Sequence, residues 1–117
     1  MLKFILSLTF ACTLFASDGW TKEQKWTQAA YLTVTTIDML QTISFRAEGK
    51  PEGNPLLGRY PSKEKVIIFI VGGMALHTYI TDLLPSEYRK YWQYVWIGIE
   101  TWAISHNHFK AGVRIKF

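Results

Sequence analysis

Cysteine is almost missing from this chain: Cys12 is the only one in 117 residues, and it falls within an apolar N-terminal stretch. If that stretch is removed on export, no thiol remains, so disulfides and thiolate metal sites are excluded even in an oxidising compartment. Also missing are a glycine-rich phosphate loop, a nucleophile elbow, a zinc-thiolate spacing and a His-Glu-x-x-His string. Those absences argue against a conventional soluble enzyme, and Gly72-Gly73 reads as a packing feature rather than a nucleotide loop. Charge is not banded. The net +4 comes from scattered basic residues, which suits membrane topology or an anionic lipid surface and speaks against a nucleic-acid partner.

What is present is apolar and aromatic. Hydrophobic residues make up 49% and aromatics 15%, which excludes a disordered chain and supports one domain. Met1 to Ala16 reads as an export signal, with Lys3 as the positive start, Phe4 to Phe15 as the apolar region and Ala16 before the cleavage point. Leu14 is a poor fit to the small residue expected three positions before the cut, so an uncleaved anchor is the alternative. Thr9-Phe10-Ala11 is a weak lipobox for acylation of Cys12. Residues 17–117 are then a single helical domain.

Val66 to Leu84, VIIFIVGGMALHTYITDLL, is apolar and helical in character. At about 1.5 Å per residue this run covers about 28 Å, close to the hydrocarbon thickness of a bilayer. Helices are expected over about 21–45, 65–84 and 91–107. Thr21 and Gln24 make a capping box for the first, and Ser62 is a cap for the second. In the first helix Gln24, Gln28, Tyr31, Thr35, Asp38 and Thr42 form one stripe, with Leu32, Met39, Leu40 and Ile43 on the other side. The stripe is either a solvated face or a polar face turned inward in a membrane bundle.

Three of the four prolines lie between Arg46 and Lys65, which marks a loop, and Pro85 ends the second helix. On that second helix Val66, Ile70, Gly73, His77 and Thr81 share a face, so the histidine sits beside a small residue where another helix can approach. In the third, Trp92, Trp96, Ile99 and Ala103 make a stripe, and Gln93, Glu100 and Asn107 recur every seven residues along its edge. The tail Phe109 to Phe117 alternates at strand period and is expected to be extended.

The fold expected is all-α: a three-helix antiparallel bundle after a signal segment, membrane-embedded, with a short extended tail. Basic residues support three spans. Lys22, Lys25, Arg89 and Lys90 fall outside, against Arg46, Lys50, Arg59, Lys63, Lys65, Lys110, Arg114 and Lys116 inside. The mean hydropathy of +0.04 is low for a protein of several spans, so an exported bundle with at most one span is the alternative.

The most motif-like string is Glu52-Gly53-Asn54-Pro55-Leu56-Leu57-Gly58, followed by Tyr60-Pro61-Ser62. It is joined by Asp38-x-x-Gln41-Thr42, His77-Thr78, Leu84-Pro85, the run from Trp92 to Glu100, and Asn107 with Gly112, Val113 and Ile115. Together these resemble a family of small exported helical proteins of bacteria and their phages. The resemblance spans most of the chain after the signal and implies a small exported helical protein, with no activity attached to it.

Asp38, His77 and Glu100 each lie near the middle of a helix and are expected at similar depth. Two carboxylates and a histidine can bind a divalent metal or relay protons. They can equally hydrogen-bond one another and Gln41, Thr42 or Asn107 to set helix register. No cofactor is expected beyond such a metal. His106-x-His108 diverges on a helix and suits a surface role.

The expected function is that of an exported, membrane-associated component of the cell envelope. It acts by helix packing with itself or another envelope protein, in the inner membrane or, alternatively, the periplasm. A membrane-embedded enzyme or an ion- or proton-handling protein using Asp38, His77 and Glu100 is the rival reading.

Overall fold

The computed structural model describes residues 3, 19–47, 49, 56–58 and 60–111, without the side chains of 45, 46 and 108–111. Apart from Lys3, the segment expected to be an export signal, with Cys12, lies outside the described residues, as do the Glu52, Asn54 and Pro55 string and the end of the tail. Those that are described form three helices, α1 (Lys22–Ala47), α2 (Lys63–Leu83) and α3 (Ser86–Ala111), and no strand.

Local chemistry accounts for where the helices begin and end. The Thr21 amide donates to Gln24 Oε1 at 3.0 Å and the Gln24 amide to Thr21 Oγ1 at 3.1 Å, the reciprocal capping box read from the sequence. Ser62 Oγ accepts from the Lys65 amide at 3.1 Å and caps α2. At the other end of α2 the Leu84 amide closes on Ile80 and Thr81, and Pro85 cannot continue the ladder. Arg89 reaches back to the carbonyls of Thr81 and Asp82, a cation at the negative end of the helix dipole.

Two boundaries correct the sequence reading. The third helix starts at Ser86 rather than 91, because nothing in Ser86 to Lys90 breaks a helix and Glu87 favours a first turn. It also runs on to Ala111, so Phe109 to Ala111 is helical and not extended. Alternation over so few residues does not outweigh the low cost of propagating an existing helix.

Cross-helix contacts give the directions. Gln28 meets His77 while Trp20 meets Asp82, so α1 and α2 run antiparallel. Gln28 meets Gln93 while Asn107 meets Asp38 and Gln41, so α1 and α3 run parallel. The chain goes up, down and up, with α1 as the central element. It packs most extensively on α3 and less on α2, whereas α2 and α3 touch least, chiefly where the His77 ring meets Trp92 and Trp96. At 26, 21 and 26 residues, the helices are long enough to cross about 30 Å.

The apolar core is small: Tyr31, Leu32, Met39 and Ile43 from α1 against Val66, Ile70 and Met74 from α2. Around it the burial is inverted. Gln24, Gln28, Thr35, Thr42, His77, Thr81 and Gln93 are buried, while Ile68, Leu76, Tyr79, Val95, Ile99 and Trp102 are exposed. The polar stripe of α1 therefore faces inward, and its apolar opposite, Leu32, Met39, Leu40 and Ile43, is buried too.

Candidate functional site

The interior polar side chains fall into two layers. The first is held by the amides of Gln28 and Gln93. Gln93 Nε2 donates to the Gln24 carbonyl and to Gln28 Oε1, both at 3.0 Å. A backbone carbonyl only accepts, so this contact sets which end of the Gln93 amide is nitrogen. Gln28 must then accept through Oε1 and donate through Nε2, which lies 3.0 Å from Thr78 Oγ1 and 3.1 Å from His77 Nδ1. His77 Nδ1 is consequently an acceptor, and in the neutral ring the proton sits on Nε2. All three helices are tied by this ladder.

The His77 ring is held between aromatics. Tyr31 stacks on it at 3.7 Å between centroids, Trp92 lies at 5.3 Å with its plane 22° away, and Trp96 meets it edge-on at 6.4 Å. His77 is 4% exposed, and Nε2, its proton-bearing nitrogen, has no partner. Trp92 Nε1 is a second buried donor without one.

The second layer contains Asp38 and Glu100, whose carboxyls lie close together. An ionised carboxylate has acceptors only, so a hydrogen bond between the two needs a shared proton. Asn107 Nδ2 donates weakly to Asp38 Oδ1 at 3.4 Å and to Gln41 Oε1 at 3.3 Å, and Gln41 Nε2 donates to the Ile104 carbonyl. Thr42 turns back onto the Asp38 carbonyl of its own helix at 3.0 Å. Glu100 Oε2 is buried without a partner.

Of the three residues expected to converge, Asp38 and Glu100 meet and His77 does not join them. His77 stacks on Tyr31, seven residues before Asp38 on α1, and meets Trp96, one turn before Glu100 on α3, an axial offset of about 6 to 11 Å. The expectation of a shared depth took each residue to be mid-helix. Yet His77 lies only six residues from the end of α2, whereas Glu100 lies fourteen beyond the start of α3. No group of three or more His, Cys, Asp or Glu side chains able to hold a metal ion occurs among the described residues. His106 is exposed and stacks on Trp102 at 5.0 Å, in keeping with a surface position.

The two layers face one groove. Because α2 and α3 diverge from a two-residue turn, a space of about 780 Å³ opens between them, floored by Tyr31, Thr35, Asp38 and Thr42 of α1. His77, Trp92, Trp96 and Glu100 line its walls, and Leu56, Phe69, Leu76, Ile99 and Trp102 form an apolar rim. Gly73 lines it as well, and a Cβ added there would meet nothing within 4 Å. The glycine beside His77 thus borders open space, not the close helix contact expected of it. Gln28 and Gln93 are the site residues that sequence reasoning underrated. Their spacing placed them on interior-capable stripes, but only the pairing across helices reveals the ladder.

Comparison with protein-family models, with curated proteins and with solved structures returned no match for this chain.

Proposed function

We propose that this protein is a membrane-embedded helical component of the cell envelope, acting by packing its exposed apolar α2 and α3 surfaces against lipid and against other membrane helices. The observation that carries the reading is the inverted burial: amides, hydroxyls and an imidazole inside, with Ile68 72% and Trp102 66% exposed outside. In water such a surface associates or precipitates, whereas in lipid tails it is already solvated.

The hydroxyls support the same reading. Thr27, Thr36, Thr42, Ser44, Thr78 and Thr81 each donate to the carbonyl four residues earlier, at 2.6 to 3.0 Å. A hydroxyl satisfied within its own helix needs no water, which is the condition a bilayer imposes. α2, with a mean hydropathy of 1.7 over its most apolar window, is the described helix long and apolar enough to cross by itself. The other two bring polar stripes that are covered when the bundle closes.

Carbonate extraction of membranes from an expressing cell tests this. Retention in the pellet, with release only by detergent, is expected. Release by carbonate alone overturns the membrane reading and leaves an exported bundle.

A second reading, proton or ion handling, is favoured by one observation, the neighbouring Asp38 and Glu100 carboxyls lining one groove. Proton flux into vesicles holding the purified protein, compared with Asp38→Asn, tests it. Equal flux in both and in protein-free vesicles excludes it.

A further inference from the structure

We propose that the groove between α2 and α3 binds an uncharged amphiphile whose head carries hydroxyl groups, of the monoacylglycerol class. This rests on the membrane reading, since the tail leaves through the rim into lipid.

Size is the first argument. About 780 Å³ lies within the 300–1,000 Å³ range of small-molecule sites and is too little for a helix with side chains. Wall chemistry is the second. His77, 4% exposed, holds an N–H without an acceptor, and Trp92 Nε1 is another. Glu100 Oε2, eight residues further along α3 and so about 12 Å away, lacks a partner as well. Buried polar atoms are nearly always paired, so unmet groups in the walls of one groove mark a missing partner.

The head's charge follows from the same atoms. An anionic head faces the Asp38 and Glu100 carboxyls across a low-dielectric space. A quaternary ammonium leaves the His77 and Trp92 N–H donors unmet. A hydroxyl accepts from an N–H and carries no charge toward the carboxyls, so a hydroxylated head matches the His77 and Trp92 donors. The two nitrogens are covered by the aromatic stack, and the half-buried Trp92 ring swings off His77 to admit the head. Leu76, Ile80 and Ile99 then flank the tail.

The test uses the full chain in phosphatidylcholine nanodiscs with a photoreactive monoacylglycerol, with crosslinked peptides read by mass spectrometry. Labels are expected on α2 and α3 residues lining the groove, reduced at least tenfold by excess monooleoylglycerol but not by oleate or by an oleyl trimethylammonium. Gly73→Phe fills the groove where a side chain meets open space, so it should fold normally and lose the labels. Equal competition by oleate or by the ammonium overturns the assignment of the head. Labels spread over all exposed apolar faces, or unchanged in a folded Gly73→Phe, show only bulk lipid and overturn the site. Crosslinks between copies through the groove would assign it to self-association instead. Carbonate extraction, read separately, distinguishes a failed groove from a failed membrane reading.

Discussion

Gln93 is completely buried and donates to two α1 acceptors of the ladder, the Gln24 carbonyl and Gln28 Oε1. Gln93→Ala removes the donors that Gln28 Oε1 and the Gln24 carbonyl use. The expected cost is about 1–3 kcal/mol, the range for leaving buried acceptors unmet, read as a lower melting temperature in detergent. An unchanged midpoint would show that the ladder does not contribute. The carboxyl pair makes a contrasting case. Asp38→Asn keeps an acceptor for Asn107 and adds donors toward Glu100, so stability should be held, whereas Asp38→Ala leaves Glu100 and Asn107 short of a partner. Equal loss in both variants would mean that charge, not hydrogen bonding, organises this layer. Chelation tests the metal alternative through the melting temperature. A fall restored by one divalent ion supports a bound metal, and an unaltered midpoint speaks against it.

At the level of elements, α2 combines a buried face with a glycine pair that borders nothing. Val66, Ile70, Met74, His77 and Thr81 pack inward, and a methyl group added at Gly72 or Gly73 would find open space. Gly72→Ala should therefore stabilise the protein by about 0.5–1 kcal/mol, the helix-propensity difference, with no loss of packing. Destabilisation would show that another chain approaches the backbone there. The start of α1 has its own dependence. Thr21→Val deletes half the capping box, with an expected cost of about 0.5–2 kcal/mol visible in the melting temperature. Gln24 links that cap to α3 through the Ser86 carbonyl and hydroxyl, at 2.9 and 3.0 Å, so the damage should extend to the α2–α3 turn. Faster amide exchange at Ser86 to Arg89 in Thr21→Val is the readout.

For the whole molecule, the up, down and up path puts the α1–α2 connection and the α2–α3 turn at opposite ends. If the bundle crosses the inner membrane with its basic loop inside, a cysteine at Ser86 should react with an impermeant maleimide in intact spheroplasts. One at Gly53 should react only after lysis, in a chain with Cys12 replaced where it is retained. The reverse pattern inverts the topology, and labelling at both sites is incompatible with a span between them.

The three described helices, the Thr21 and Ser62 caps, the stop at Pro85 and the apolar run of α2 were all determined by the sequence alone. Each depends on residues within about one turn of one another, where capping, backbone donors and periodicity act. The length of α3 was misread, because an aromatic cluster and a short alternation say little about where a helix ends. Only the tertiary structure decided that the polar stripe of α1 turns inward, that Gln28 and Gln93 join the three helices, and that Asp38 lies close to Glu100 while His77 is held among Tyr31, Trp92 and Trp96. The axial offset of one helix against another has no local signature. It follows from which buried amides, hydroxyls and carboxyls find partners once the whole bundle closes.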